Sequence, residues 1–235
     1  MTHTSPRNAI LWIFVSLLIA GCQTAVSEEE LDPAFFNETD LNGWHIYNQG
    51  ITPSKWTVNQ GVLVCDPRGE GVFGDLVSDQ EYEDFELEFE WKVGKGGNSG
   101  VFINVQEDSS YSAVFATGLE MQLLDNEFAE PRHQADSTHW AGCLYAVDCK
   151  GSNSTSKPHG QWNSGKIRQQ KGLVTFWMND KITFEQDINS DAFRNKVASS
   201  DMKNYPDFGK SSKGKIAFQN HTDSVSFRHI RLSVL

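Results

Sequence analysis

Asp84–Val93 (DFELEFEWKV) alternates apolar and polar side chains with period two. Phe85, Leu87, Phe89 and Trp91 leave one side of an extended chain, and Glu86, Glu88 and Glu90 leave the other. Helical spacing would scatter both sets around the axis, so the segment predicts a half-buried strand with an acidic outer face. The same period recurs at Val101, Ile103 and Val105, at Leu119, Met121 and Leu123, at Val174, Phe176 and Met178, and at Ile216 and Phe218. Asn179-Asp180 predicts a hairpin turn into Ile182–Glu185. In the last segment Val225 and Phe227 share a face, but Ile230, Leu232 and Val234 run one residue out of step. A bulge near Arg228-His229 restores the phase. Asp191–Ser199 (DAFRNKVAS) is the clearest helix, with Asp191 as its expected cap.

About a dozen strands with short turns and no internal repeat predict an all-β fold, a jelly-roll β-sandwich with one or two short helices. We divide the chain into an export signal (1–22), a polar tether (23–34) and one domain (35–235). The signal rests on Arg7 before the apolar run Ala9–Ala20, which at twelve residues is short for a bilayer span. The run ends Leu18-Ile19-Ala20-Gly21-Cys22, which resembles a bacterial lipobox with Cys22 as the lipidated residue. The expected location is therefore the cell envelope, periplasm or outer membrane, with lipid as the sole membrane contact. An exported chain meets oxidising conditions. Of the cysteines beyond the signal, Cys143 and Cys149 either close a small loop or stay as buried thiols, and Cys65 is the spare.

Composition narrows the partners. The chain carries 20 Lys plus Arg against 31 Asp plus Glu, a formal charge of −11. That balance disfavours a nucleic-acid partner, which needs a basic footprint. No Gly-x-Ser-x-Gly elbow, no HExxH and no EF-hand loop occurs. The strongest chemical cluster is Gly118–Asp125 (GLEMQLLD). Glu120 and Gln122 leave the same sheet face roughly 7 Å apart, and Asp125 ends the strand. Two carboxyls and an amide on one patch suit acid–base work or sugar hydroxyls, or are simply a solvated face. Asn98 follows a glycine-rich turn. His133 and His139 flank a long polar loop (127–140), where a pair of exposed histidines is the plain reading. Gln219 and His221 share a strand face, and seven Trp, Trp162 among them, offer sugar-stacking surfaces.

The order of motifs is distinctive. Leu41-Asn42-Gly43-Trp44 leads to Gly74-Asp75-Leu76-Val77-Ser78-Asp79, then Gly96-Gly97-Asn98-Ser99-Gly100-Val101-Phe102 and Glu120-Met121-Gln122-Leu123-Leu124-Asp125. Gly142-x-Leu144-Tyr145, Gly160-Gln161-Trp162-Asn163, Tyr205-Pro206-x-Phe208-Gly209 and Gly214–His221 follow. Over about residues 35–235 this resembles the 3-keto-disaccharide hydrolase family. The resemblance implies a concanavalin-like jelly roll that cleaves glycosides bearing a ketone at C3, so an oligosaccharide or glycoside is the expected partner. A C3 ketone acidifies the C2 proton, so elimination of the glycosidic oxygen from C1 and addition of water give net hydrolysis. Such a site needs a base, a proton donor and an enolate stabiliser. Glu120 and Asp125 are the expected acid and base, with His133 or His221 sharing the proton work. Asn98, Gln122, Tyr145, Trp162 and Gln219 are the expected sugar contacts. No cofactor is required by this scheme; a divalent metal would polarise the ketone, but no tight ligand cluster is visible. Cys143 stands where the family pattern suggests a small residue. A non-catalytic carbohydrate-binding module on the same fold is the alternative reading.

Overall fold

The alternation of 84–93 is realised as a strand over Phe85–Val93, with Phe85, Leu87, Phe89, Trp91 and Val93 all buried. The computed structural model describes residues 1–2, 30–150 and 155–235. Residues 3–29, which hold nearly all of the expected export signal, Cys22 and most of the expected tether, lie outside the described residues. In chain order the strands are β1 (Glu30–Leu31), β2 (Trp44–Ile46), β3 (Trp56–Asn59), β4 (Val62–Cys65), β5 (Leu76–Tyr82), β6 (Phe85–Val93) and β7 (Asn98–Val105). They continue as β8 (Leu119–Leu124), β9 (Asn163–Gln170), β10 (Leu173–Met178), β11 (Lys181–Asp187), β12 (Gly214–Phe218) and β13 (Val225–Val234). Two helices, α1 (Pro131–Ala135) and α2 (Asp191–Ala198), lie between strands. Among the described residues no helix is long and apolar enough to cross a membrane.

The strands form two antiparallel sheets, the larger ordered β11-β10-β9-β6-β13-β4-β3 with β1 beside β13, the smaller β2-β5-β12-β7-β8. Their facing sides share one core, in which Trp56, Phe89, Phe218 and Phe227 pack ring against ring. The jelly-roll β-sandwich expected from the alternation is the fold observed.

The acidic outer face of β6 is neutralised by its neighbours. Glu86 pairs with Lys166 (3.4 Å) and Arg168 (3.0 Å) on β9, and Glu90 with Arg228 (2.6 Å) on β13. The phase change in β13 is a bulge: its register against β6 shifts between Arg228 and Arg231, and His229 takes φ 51°. Asn179 and Asp180 both have positive φ (47° and 65°), as a two-residue hairpin turn of this hand requires. The cap of α2 is Ser190 rather than Asp191. The Ser190 hydroxyl accepts from the Phe193 N–H at 3.1 Å, and Asp191 takes the first helical position, where its charge favours the dipole.

Cys143 and Cys149 are joined as a disulfide, which settles the open choice between bridge and thiols. The bridged segment runs beside β8: Gly142 N–H donates to the Gln122 carbonyl (2.7 Å) and Tyr145 N–H to the Glu120 carbonyl (3.1 Å). The bridge thus holds an extra edge on the smaller sheet. A cross-link over six residues of separation restricts the unfolded chain by about 2 kcal/mol. Cys143→Ser with Cys149→Ser should lower the unfolding free energy by about that amount in urea titration.

Unlike the larger sheet, the smaller one does not give its outer face to water. Tyr47, Val77, Phe102, Val105, Val114 and Ala217 bury a second small core there, covered by Phe115. The covering segment is anchored by Glu107, which accepts from the Asn48 N–H (2.8 Å) and pairs with His45 (2.8 Å) and Lys215 (3.3 Å). Beyond this second core, the same face opens into a polar cavity.

Candidate active site

Glu120 and Gln122 rise from β8 on the outer face of the smaller sheet, and both are buried. Room for the carboxyl comes from β7. A Cβ on Gly100 would lie 2.3 Å from Glu120 Oε1, so only glycine lets the side chain lie across the neighbouring strand. The cavity they enter holds about 390 Å³ and is lined also by Asn98, Arg132, His133, Tyr145, Tyr205, Gln219 and His221. Residues from β7, β8, α1, the disulfide loop and the segments after α2 and β12 therefore meet at one place.

An amide chain links the titratable groups. The orientation of Gln122 that satisfies both ends of its amide has nitrogen donating to Glu120 Oε1 (3.0 Å) and to the Ser99 carbonyl (3.0 Å). Its oxygen then faces the Asn98 side chain at 3.2 Å, and Asn98 reaches His133 Nε2 at 3.4 Å. Turning Asn98 to match lets it donate to Gln122 and accept from His133 Nε2–H. His133 Nδ1, a buried atom, is then left with a bare lone pair and has no hydrogen-bond partner among the described residues.

Burial drives the two ends of this chain in opposite directions. Desolvation, with the Asp75 charge second, holds Glu120 well above the ordinary carboxyl range. Asp75 itself is raised to about 6 by burial, against the Asn220 N–H it accepts at 2.9 Å. Desolvation, then the charges of Arg132 and His139, lower His133 to about 4. Burial thus favours the protonated form of Glu120 and keeps the His133 imidazole uncharged near neutrality, a pairing suited to acid and base roles. Tyr145 is raised by burial and by Glu120, so it remains a phenol and hydrogen-bond donor. The His139 ring stacks on Tyr145 (4.5 Å, 20°) and meets His133 edge-on (5.2 Å), which fixes both rings.

The structure brings together Glu120, His133, His221, Asn98, Gln122, Tyr145 and Gln219. It does not bring Asp125 or Trp162 to them. Asp125 accepts from the Gly96 N–H (2.8 Å) and pairs with His159 (3.2 Å), stapling the turn before β7 outside the cavity lining. We therefore remove Asp125 from the acid–base set. Trp162 lies against the outer face of the larger sheet, its ring contacted by Lys92 Nζ (4.7 Å) and the Arg228 guanidinium (4.1 Å). The plain reading of His133 and His139 as exposed also fails: they are 2% and 9% exposed, His133 on the inner side of α1 and His139 ending the following 3₁₀ turn. Sequence reasoning gave no role to Asp75, Arg132 or Tyr205. Asp75 stood inside a recognised motif, but nothing in the sequence placed its charge against Glu120. Among the described residues no group of three or more His, Cys, Asp or Glu side chains is placed to hold a metal ion.

A jelly-roll sheet that carries a buried carboxyl and an imidazole over one polar cavity has the form of a sandwich-fold enzyme. Its sequence narrows the class. Residues 33–233 match the profile of the 3-keto-alpha-glucoside-1,2-lyase-like domain, and the chain belongs to that family. A curated relative from Bacteroides thetaiotaomicron, named 3-keto-disaccharide hydrolase, is 31% identical over 85% of this chain and 77% of its own. The crystal structure of a candidate glycosyl hydrolase from Parabacteroides distasonis superposes with TM-score 0.77 at 32% identity, covering 86% of this chain and 92% of that one. A β-agarase B bound to agaro-octaose shares the fold at TM-score 0.53 and 10% identity, over 88% of this chain and 94% of its own.

Proposed function

We propose that the protein cleaves glycosides oxidised at C3, by elimination across C1–C2 and then hydration. The observation that carries this reading is the Glu120–His133 pair on one cavity, where burial favours the protonated form of the acid and the uncharged form of the imidazole. The names of its family and of its curated relative supply the substrate class. His133 removes the C2 proton, and its electron pair forms an enolate with the C3 oxygen. The ketone re-forms as the C1–C2 double bond appears and the C1–oxygen bond breaks. Glu120 protonates the departing oxygen. In the return step Glu120, now ionised, takes a proton from water as hydroxide adds to C1, and His133 returns its proton to C2. Both groups end as they began, and the balance is one water per glycosidic bond. The Arg132 guanidinium supplies positive charge for the enolate, and the His221 imidazole lines the same cavity as a hydrogen-bonding partner. Asn98, Gln122, Tyr145 and Gln219 orient hydroxyls.

We further propose export, with Cys22 lipidated and the domain tethered to the envelope. Incorporation of an alkyne-labelled fatty acid into the wild type but not into Cys22→Ser tests this.

The reaction is tested with the chain from residue 23 onward. A 3-keto-glucoside and its unoxidised parent are supplied separately. Aglycone release from the keto form alone, with a transient enone absorbance, supports the reading. Release from the parent overturns it in favour of an ordinary glycosidase. Release from neither, with a rise in melting temperature on sugar, favours a binding module.

Arg132 has a separable role. Its charge is the second cause of the low His133 value. Arg132→Gln should therefore move the acid limb of kcat/KM upward from about pH 4 toward 6.5, because His133 then takes a proton more readily. A pH–rate profile reads that displacement directly.

A further inference from the structure

A second cavity, also of about 390 Å³, adjoins the first. The two share Tyr205, and the chain around it divides them: Met202 and Asn204 line the first, Lys203 and Pro206 the second. Its floor is apolar, formed by Ile188, Phe193, Val197 and Phe208. Its rim carries Arg194, Lys203 and Lys210, and no acidic residue lines it. In a chain of net charge −11 such a concentration of cations is local and specific. Arg194 and Lys210 are partly offset by Asp191 (2.7 Å) and Asp207 (3.4 Å) just outside the lining. Lys203 is exposed and makes no ion pair among the described residues.

We infer that this cavity is the aglycone subsite, shaped for an aromatic leaving group bearing an anionic substituent. The inference rests on the proposed cleavage reaction. With the keto sugar against Glu120 and His133, a group on C1 that passes Tyr205 enters the second cavity. An aromatic ring fills the floor between Phe193 and Phe208, and a carboxylate or sulfate on its far side meets Lys203. Neutral aliphatic aglycones lack both contacts. Tyr205 sits at the crossing, held edge-on by Phe115 at 5.2 Å, and forms the wall that a ring passing between the cavities meets.

The test compares the 3-keto-glucosides of ethyl, benzyl and 4-carboxybenzyl alcohol. Unlike phenols, these alcohols leave with similar ease, so differences in kcat/KM report binding. Benzyl should exceed ethyl by about tenfold or more from burial of the ring, and carboxybenzyl should exceed benzyl by about fivefold from one rim charge. Lys203→Glu should erase or reverse the second ratio and leave the ethyl substrate unchanged. Ala198→Trp, which fills the cavity from the exposed end of α2, should erase the first ratio and again spare the ethyl substrate. Equal kcat/KM across the series with turnover intact overturns the subsite and leaves the reaction standing. No turnover of any member overturns the reaction and the subsite with it. If Ala198→Trp changes the oligomeric state and no ratio, the cavity is an interface between copies and the subsite is wrong.

Discussion

Glu120→Gln should lower turnover of a 3-keto-glycoside by about 10² to 10⁴, the ordinary contribution of a positioned acid, while sugar still binds. The substitution keeps the shape of the side chain and the oxygen that accepts from Gln122. It removes the proton that the proposed mechanism passes to the departing oxygen. Loss of turnover with retained binding therefore isolates chemistry from architecture. Stability gives a second readout. Folded Glu120 holds its proton well above the ordinary 4.5, so over the range between that value and its folded one the native state binds more protons than the unfolded state. Native stability from this group is thus greatest at low pH and declines as pH rises through that range. Gln cannot ionise, so the variant should melt no lower than the wild type at neutral pH and should lack this decline. A variant that keeps full turnover removes Glu120 from the mechanism. One that loses turnover and melts far lower shows a structural role instead.

Much of the sandwich was legible because one physical rule covers it. A strand with one face in the core and one in water must alternate, and β6, β10 and β13 do. The rule is silent where both faces are covered. β8 is buried along its whole length, so its polar positions read equally well as a solvated face. β9 (NSGKIRQQ) shows no apolar period because its inward positions hold Asn163, Gly165, Ile167 and Gln169. Gly165 stands there for space: a Cβ would lie 2.5 Å from the Phe89 ring on the paired strand. Neither the ring nor the pairing is visible in the segment itself.

The candidate site divides along the same line. Glu120 and Gln122 were legible as a pair because strand period alone sets their direction. The step from solvated face to enclosed cavity was not, because it depends on Phe115, Tyr145 and Tyr205 arriving from elsewhere in the chain. Asp125 shows the reverse error. It is close to Glu120 in sequence, but the strand has ended and its carboxylate turns to the Gly96 N–H. The helix cap was misplaced by one residue because Ser190 and Asp191 are both good caps, and only the backbone geometry decides between them. The 127–140 loop looked exposed from its polarity, yet α1 buries His133.

That burial leads to the other large expected effect. His133→Phe should lower kcat/KM by about 10² to 10⁴, because Phe keeps a ring edge-on to His139 and offers no lone pair to the C2 proton. His133→Ala should fall as far and regain part of its rate with added imidazole, since truncation leaves space for a free base. Restoration by imidazole in the Ala variant, but not in the filled Phe variant, distinguishes a lost base from a lost packing contact. The pH dependence must agree. The wild type should keep its activity down to about pH 4, where His133 gains a proton, rather than failing near 6.5. The same shift bears on stability with a definite sign. An unfolded imidazole charges below about 6.5 and the folded one only near 4, so the unfolded state binds more protons between those values. Native stability from this group is complete above about 6.5 and is lost as pH falls toward 4. His133→Phe should remove that loss and show a flatter melting temperature across acidic pH. If the Phe variant retains turnover, the base is another group, and His221, the other imidazole lining the cavity, is the residue to change next.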